Sequence, residues 1–360
     1  LQPTNVNGYV GLAGVKFVKR WVESMSEADY ICVLDTGSTD KTVELLKSYH
    51  NVIVKQKVIK PWRFDIARNE SMKLIPKDTN MCVCTDLDEI FEKGWRQKLE
   101  QSISSDTKNV QYRYTWNFNE DGSEGVVFYA NKIHSYGDFY WKHPVHEVIV
   151  YNGIEPFKSV LIKDLQLNHY ADNTKSRGQY LPLLELSVNE EPENDRNVHY
   201  LGREYYFNGQ YEKAIETLKK HLNLKTATWK DERSSSMRYI AICYAKLNDL
   251  QNAELYYKLS IKETPKNREP YYELGKFYYN NERYLDAICV FESMLNIEDR
   301  QLNYISNPQA WGFEVFDYLS LCYYKLDDKK SALVNSIKAM NLRPNDERLN
   351  KNFEYFKKMI

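Results

Sequence analysis

The chain has 360 residues, and its 49 lysine and arginine residues nearly balance 50 aspartate and glutamate residues. The length indicates about two domains, and the balanced charge gives no electrostatic reason to expect binding to nucleic acid or to an anionic membrane surface. No apolar run approaches the ~20 residues of a transmembrane helix, and the first residues lack the pattern of a signal peptide. We therefore expect no transmembrane segment and a cytoplasmic location.

The cysteines agree with that location. Each lies within an apolar or helical pattern, and their spacing differs from that of zinc sites and redox motifs. We expect all of them to be buried free thiols in a reducing compartment. They are Cys32, Cys82, Cys84, Cys243, Cys289 and Cys322.

The first half of the chain alternates short apolar runs with helical patterns. YICVL (30–34) predicts a strand, and TGSTDKTVELLKSY (36–49) opens with capping residues and predicts a helix. VIVKQKVI (52–59) predicts a second strand, FDIARNESMKLI (64–75) a second helix, and MCVCTDLD (81–88) a third strand. This alternation predicts a parallel sheet with helices on both faces. Ligands of such sheets bind outside the carboxyl ends of the strands.

The second half has a different period. Four segments share a small residue, a tyrosine three positions later and an alanine twelve positions later, at successive spacings of 39, 34 and 45 residues. This pattern resembles an array of tetratricopeptide repeats, whose period is 34 residues, and the longer spacings predict insertions in the loops after the first and third units. The four small residues are Gly202, Ala241, Gly275 and Ser320. Most of the 29 tyrosines lie in this half. We expect them to pack in the core, and the alternative is an aromatic-lined ligand groove.

An acidic motif follows the third predicted strand, in MCVCTDLDEIF (81–91). Asp86 and Asp88 are two positions apart at a predicted strand end, so their side chains are expected on the same side. Two close like charges are unfavourable without a cation. A Mg²⁺ or Mn²⁺ ion that carries a diphosphate is therefore the simplest partner. The alternative is a solvated acidic turn.

Two further motifs precede these acids. In LDTGSTDKT, Gly37 permits a tight turn, and Asp35 is placed to hydrogen-bond a ribose or a base. In RNES, Arg68 offers a cation for phosphate oxygens.

LDTGSTDKT, DIARNES and CTDLDEIF together resemble the V-x-x-D-x-G-S-T-D, A-R-N and D-x-D series of family 2 glycosyltransferases, which have the GT-A fold. The resemblance covers roughly residues 9–170. It implies that Asp35 contacts the base or ribose of a nucleotide sugar and that Arg68 lies near the nucleotide. It also implies that Asp86 lies near the ribose and the metal, and that Asp88 binds the metal.

The chain departs from the family pattern at GLAGVKFV (11–18). Bacterial relatives with the D-L-D-E sequence usually carry Lys-Asn-Glu near the end of the first strand. Either another group replaces that nucleotide contact, or that edge of the site is altered.

Histidines and a glutamate further along complete the resemblance, since relatives often carry V-H-E and a later H-Y. Glu147 or His146 is then expected to be the general base that takes the acceptor proton, and His169 is expected to complete the metal shell. The alternative for each histidine is a structural, hydrogen-bonded role. Three tryptophans are expected mainly in the core, and the alternative is that they stack on a sugar ring. They are Trp95, Trp116 and Trp141.

We therefore predict two domains, a GT-A α/β domain at residues 1–180 and an all-α tetratricopeptide repeat domain at residues 190–360. The predicted enzyme moves a hexose, with inversion, from a nucleoside diphosphate sugar to a glycan, peptide or protein acceptor. A UDP-sugar is the expected donor because members of the resembled family often use one. The repeats are expected either to bind a peptide or protein acceptor or to form a homodimer. The alternative function is a non-catalytic, repeat-based interaction module with a degenerate nucleotide-sugar-binding domain.

Overall fold

A computed structural model describes residues 6–10, 15–171 and 178–359 of the chain. It divides into two compact units, residues 1–187 with 302–304, and residues 188–301 with 305–360. None of the helices in the described ranges combines the length and the apolar character needed to cross a membrane.

The first unit alternates strands and helices. In chain order its elements are β1 (Val6–Val10), α1 (Val15–Ser24), β2 (Ile31–Asp35), α2 (Thr42–Lys47), β3 (Val52–Gln56), α3 (Phe64–Met72), β4 (Met81–Cys84), β5 (Glu89–Phe91), α4 (Trp95–Ser102), β6 (Thr107–Thr115), β7 (Val127–Ser135), β8 (Phe139–Lys142), β9 (Val148–Tyr151) and β10 (Lys158–His169). Helix α5 (Tyr180–Glu190) begins in this unit and ends in the second.

Eight of the strands form one sheet in the order β3-β2-β1-β4-β7-β6-β10-β5. The part that holds β1, β2, β3 and β4 is parallel, as the sequence predicts. Strand β7 is antiparallel to β4 and to β6, and β5 is antiparallel to β10. Strands β8 and β9 form a separate antiparallel pair. The predicted α/β class is confirmed, with a mixed sheet in place of a parallel one.

Continuous apolar runs form β2 and β4 because both faces of the sheet are covered. Ile31, Val33 and Val83 belong to the main core of the unit. Cys32 and Cys82 point to the other face, where they pack in a second core. Complete burial of one such aliphatic side chain contributes about 1.5–3 kcal/mol, so these two strands anchor the sheet at the edge where the acidic motifs follow.

Four predicted elements are shorter in the structure, and two of them bear on the acidic motifs. The strand predicted at 81–88 ends at Cys84, so the alternation of side chains along a strand does not apply to Asp86 and Asp88. The helix predicted at 36–49 covers only Thr42–Lys47. In both cases the polar residues at the strand end form a turn, since their side chains bond to nearby backbone.

The second unit consists of helix pairs, one for each predicted repeat. They are α6 (Asp195–Phe207) with α7 (Tyr211–Asn223), α8 (Lys230–Lys246) with α9 (Leu250–Glu263), α10 (Arg268–Asn280) with α11 (Tyr284–Leu295), and α12 (Glu314–Lys325) with α13 (Lys329–Leu342). A short 3-10 helix, Pro308–Trp311, precedes α12, and α14 (Glu347–Lys357) follows the last pair.

The shared residues of the repeats pack where the helices of a pair approach each other. A Cβ atom added at Gly275 would lie 2.5 Å from the Phe291 ring, and one added at Gly202 would lie 2.5 Å from the Leu218 side chain. The four shared alanines are completely buried: Ala214, Ala253, Ala287 and Ala332. The small residues are therefore required by close packing between helices.

Each of the four turns between paired helices contains one residue with a left-handed backbone conformation. These residues are Gly209, Asn248, Glu282 and Asp327. The same backbone conformation therefore recurs in all four repeats, although only the first has the glycine that favours it.

The two insertions differ from each other. Between the third and fourth pairs, residues 296–313 form the predicted long connection, which includes the short 3-10 helix. After the first pair, the expected loop insertion is wrong: most of the additional length extends α8, which has 17 residues against 13 in α10. The difference is about one helical turn.

The cysteine prediction is correct for all positions except one. The thiols are free, and five are buried, but Cys289 is exposed. It lies on the outer side of α11, where its neighbours along the helix, Ala287 and Ile288, face the core.

Candidate active site

The acidic motifs meet at one edge of the sheet. Strands β2 and β4 both pair in parallel with β1, so their carboxyl ends lie at the same edge. Strand β2 ends at Asp35, which is completely buried. Its carboxylate accepts hydrogen bonds from the backbone N–H of Ser38 at 3.2 Å and from Gln56 Nε2 at 3.2 Å. Gly37 has a φ of 129°, which the turn after β2 requires.

Glu89 organises the turn that follows β4. Its side chain is buried, and its Oε2 accepts the backbone N–H of Asp86 at 2.8 Å. Its Oε1 accepts the hydroxyl of Tyr114 at 2.8 Å and the ammonium of Lys132 at 2.6 Å. The turn is thus closed by a buried carboxylate whose charge has a cationic partner.

Arg68 is the main partner of the acids. From α3 its guanidinium contacts Asp86 at 3.0 and 3.1 Å and forms an ion pair with Glu147. It also lies 4.9 Å from the centre of the Trp141 ring. Burial opposes the charged guanidinium, but the Asp86 and Glu147 carboxylates outweigh it and raise the pKa of Arg68. Asp86, a predicted nucleotide contact, and Glu147, the predicted base, therefore share the guanidinium of Arg68 as their cation.

Lys132 is a second cation, which the sequence motifs did not identify. Its ammonium lies 3.5 Å from Asp86 as well as 2.6 Å from Glu89. Burial would raise the pKa of Asp86, but Arg68 and Lys132 together lower it well below its usual value. The sequence places Lys132 within NKIHS, which forms the end of β7. The residues that follow it in this strand are buried, so a lysine there is unusual.

Asp88 lies opposite His169, the last residue of β10. Its Oδ2 is 3.6 Å from His169 Nε2, and its backbone carbonyl accepts the N–H of Tyr170 at 2.8 Å. The other ring nitrogen of His169, Nδ1, lies 2.7 Å from the carbonyl oxygen of Trp116. Because a carbonyl only accepts, Nδ1 carries a proton, and neutral His169 then has its lone pair on Nε2, toward Asp88.

This pair fits a divalent ion. Histidines that bind metals usually donate their other N–H to a carbonyl or carboxylate, as His169 does to Trp116. Without an ion, burial opposes protonation of His169, but its contact with Asp88 outweighs burial and raises its pKa. An oxygen and an imidazole nitrogen are both ligands that Mn²⁺ accepts. Asp88 and His169 therefore supply a suitable donor pair.

The structure does not bring all three predicted metal ligands into one cluster. Asp86 is held by Arg68 and Lys132, whereas Asp88 and His169 face each other. Within the described ranges, the one group of three His, Cys, Asp or Glu side chains with ligand atoms within 4.8 Å of one another lies in the second unit.

The segment before Glu147 has an unusual backbone. His143 and His146 have φ values of 85° and 50°, in the left-handed region that few non-glycine residues adopt. Between them the carbonyl of Pro144 accepts the N–H of Phe64, which starts α3. This loop therefore places Glu147 against Arg68, while the His146 ring lies 5.8 Å from the Tyr180 ring. Residues held in this region often cluster at active sites.

Asn69 and Trp141 connect the same loop to α3. The Asn69 amide donates to the Trp141 carbonyl and accepts from its N–H, both at 2.8 Å. Trp141 is buried and Trp116 is half exposed. Of the departure at 11–18, residues 11–14 lie outside the described residues, and the rest begins α1.

Comparisons with known proteins agree with this division. Residues 15–160 match the family model "Glycosyl transferase family 2". Residues 199–228 match "Tetratricopeptide repeat", and residues 268–360 match "Prolyl 4-hydroxylase peptide-substrate-binding domain".

Two curated relatives are glycosyltransferases by name. They are the SPbeta prophage-derived glycosyltransferase SunS of Bacillus subtilis (strain 168) and glycosyltransferase SunS of Bacillus phage SPbeta. Each is 25% identical over 283 residues, which cover 73% of this chain and 63% of the relative. The match therefore spans less than two thirds of the length of these relatives.

Solved structures with partial similarity include repeat proteins. MamA from Desulfovibrio magneticus RS-1 has a TM-score of 0.37 at 16% identity and covers 46% of this chain and 84% of its own. The C-terminal part of a TPR repeat-containing protein from Cytophaga hutchinsonii has a TM-score of 0.41 at 16% identity, over 49% of this chain and 64% of its own.

The family matches confirm the resemblance that the sequence motifs predicted. Residues 15–160 match family 2 glycosyltransferases, and the repeat matches lie C-terminal to them, within residues 199–360.

Proposed function

We propose that this protein transfers a hexose from a nucleoside diphosphate sugar to an acceptor, with inversion and with Mn²⁺ or Mg²⁺ as cofactor. A UDP-sugar is the proposed donor because members of the resembled family often use one. The observation that carries the proposal is the arrangement of Asp88 with His169, next to Asp86 with Arg68, at the carboxyl edge of the sheet. Ligands of α/β sheets bind at this edge.

The nucleotide part of the donor is assigned to Asp35, Arg68 and Asp86. Asp35 ends β2 and is proposed to accept a hydrogen bond from the base or the ribose. Asp86 is kept ionised by two cations and is proposed to lie near the ribose and the metal. Arg68 contacts both Asp86 and Glu147, so its proposed role includes holding these two carboxylates in place.

Metal binding is assigned to Asp88 and His169, with Asp86 beside them. A bound Mn²⁺ or Mg²⁺ ion would neutralise the charge that develops on the leaving diphosphate. His169 keeps its Nε2 lone pair available because Trp116 accepts the proton on Nδ1.

Glu147 is the proposed general base, and His146 is the second candidate. An inverting transfer needs one base on the acceptor side of an oxocarbenium-like centre. Arg68 joins Glu147 to Asp86, which supports a place for Glu147 beside the donor. When Glu147 takes the acceptor proton, its carboxylate would give up part of its contact with Arg68 and bind the acceptor hydroxyl instead.

A peptide or protein is the proposed acceptor, ahead of a glycan. The support is the match of residues 268–360 to a peptide-substrate-binding domain. Dimerisation through the repeats is the alternative role, and the molar mass in solution separates the two.

We further propose that the two functional domains span residues 1–180 and 190–360. The free thiols suit a reducing compartment, so the proposal places the protein in the cytoplasm.

The test is release of nucleotide from a panel of UDP-glucose, UDP-galactose, UDP-N-acetylglucosamine and GDP-mannose, with Mn²⁺ and with EDTA. We expect metal-dependent release from one donor, and a loss on the order of a hundredfold or more in Asp88→Asn, since a metal ligand is removed. Asp164→Asn is the matched control because Asp164 is exposed on β10.

Two results would contradict the proposal. Normal turnover by Asp88→Asn would show that Asp88 does not bind a metal ion needed for the reaction. No release from any donor, with no rise in Tm on adding Mn²⁺ and a nucleoside diphosphate, would instead favour the non-catalytic interaction module.

A further inference from the structure

The second unit holds a cluster of three ionisable side chains that the proposed glycosyl transfer does not use. Asp195 starts α6, His221 lies in the last turn of α7, and Glu232 lies in the first turn of α8. One ligand atom from each lies within 4.8 Å of the other two. His221 and Glu232 are buried, whereas Asp195 is half-buried, so the cluster can be reached from the side of Asp195.

The ring nitrogen that faces the carboxylates has no hydrogen-bond partner. Nε2 of His221 is buried without one among the described residues, although Glu232 Oε1 is 3.3 Å away. That distance is long for a hydrogen bond between these groups. It matches the ~3.3 Å that separates two ligands of a tetrahedral zinc ion with ~2.0 Å bonds. The buried nitrogen therefore lies where a metal ligand would lie.

A serine sets the orientation of the His221 ring. Ser236 Oγ lies 2.8 Å from His221 Nδ1 and 2.7 Å from His199 Nδ1. If His221 donates its Nδ1 proton to Ser236, the Ser236 hydroxyl donates to His199, and His221 Nε2 keeps a lone pair toward Glu232. A polar partner on the second ring nitrogen is usual for a histidine that binds a metal.

Glu232 comes from the part of the chain that departs from the repeat pattern. It lies in the turn by which α8, with 17 residues, exceeds α10, with 13. A helix of the usual length would not carry a carboxylate at this position. Two carboxylates and a neutral imidazole would balance a divalent cation.

We propose that Asp195, His221 and Glu232 bind a zinc ion that links α6, α7 and α8. Two oxygens and an imidazole nitrogen are a ligand set that Zn²⁺ accepts, and water takes the fourth position on the half-buried side. The ion would fasten the first repeat to the start of the second. This site is separate from the one at Asp88 and His169, so it does not depend on the proposed glycosyl transfer.

The test measures Zn²⁺ binding to the tag-free full chain in an Asp88→Asn background, which removes a ligand of the other site. Competition with a chromogenic chelator gives the number of ions and the Kd. We expect one Zn²⁺ per chain and a rise in Tm on its addition. Asp195→Asn and Glu232→Gln should each raise the Kd by on the order of a hundredfold or more.

Glu193→Gln is the control, because Glu193 is exposed and its substitution removes the same charge two positions from Asp195. It should bind Zn²⁺ as the background chain does.

Asp195→Asn is the more informative variant, since a half-buried position tolerates an amide without unfolding, and circular dichroism checks its helix content. Absence of Zn²⁺ binding by the background chain would overturn the proposal. So would an unchanged Kd in both ligand variants, which would leave the charges of the helix ends as the explanation of the cluster.

Discussion

The two units of this protein bury polar groups in different ways. The first unit buries charges in pairs at one edge of its sheet, where Arg68 contacts Asp86 and Glu147, and Lys132 contacts Glu89. The repeats of the second unit are held by small residues and aromatic rings, as Gly275 is against Phe291. Removing charges from water is costly, and buried ion pairs often add little net stability.

The difference indicates where each unit departs from simple packing. In the first unit, a row of buried ions at the carboxyl ends of strands is better explained by ligand binding than by stability. In the second unit, His221 and Glu232 are both buried and lie 3.3 Å apart, within a core built mainly of small residues and aromatic rings. Glu232 belongs to the lengthened α8, which departs from the repeat pattern.

Replacement of Arg68 should give the largest effect. Arg68→Met leaves Asp86 and Glu147 without their shared cation, and breaking a buried ion pair costs about 3–5 kcal/mol. Arg283→Met is the matched change in the second unit. Arg283 also contacts two carboxylates, but its side chain is 41% exposed, so the expected loss is at most about 1 kcal/mol.

Urea unfolding of both variants measures this difference in the free energy of unfolding. Equal losses would show that burial does not distinguish the two ion networks. If Arg68→Met lowers the free energy of unfolding only slightly, Lys132 by itself is sufficient to compensate the charge of the acids.

The sequence was most informative where patterns are local. The apolar runs of β2 and β4 predict buried strands, and the small residues of the repeats predict close helix pairs. The three motifs also predict which residues gather at the edge of the sheet, because parallel strands place their carboxyl ends together.

Contacts between distant segments were not predictable in this way. Lys132 and Tyr114 reach Glu89 from β7 and β6, strands whose places in the sheet do not follow from the sequence order. The alternation expected for Asp86 and Asp88 assumed a longer strand than β4. The turn after Cys84 forms instead because Glu89 binds the N–H of Asp86, a contact that no periodic pattern reveals.

A buried histidine should make the first unit sensitive to mild acid. His134 lies in β7 without exposure, and burial lowers its pKa to about 4. Its ordinary pKa is about 6.5, so between these values the unfolded chain binds a proton that the folded chain does not. Its contribution to stability is complete above about pH 6.5 and is lost as the pH falls toward 4, by about 2 kcal/mol between pH 7 and 5.

The measurement compares urea unfolding at pH 7 and at pH 5. His134→Asn keeps a donor near Nδ1 for the carbonyl of Ser135 and removes the titration, so it should reduce the loss of stability on acidification by about 2 kcal/mol. The control is His50→Gln, which removes an exposed imidazole from the same unit. If His134→Asn loses as much stability as the parent chain between the two pH values, His134 is not the group responsible.

The smallest expected effect concerns the left-handed turns of the repeats. Gly209 and Glu282 occupy equivalent turns with φ values of 72° and 59°. A left-handed conformation costs a non-glycine residue about 1–2 kcal/mol, and glycine loses about 0.5–1 kcal/mol more conformational freedom on folding. Glu282→Gly should therefore raise the free energy of unfolding by about 0.5–1 kcal/mol, and Gly209→Ala should lower it by a similar amount. Changes of the same sign in urea unfolding would show that the turns of the first and third repeats are not equivalent in solution.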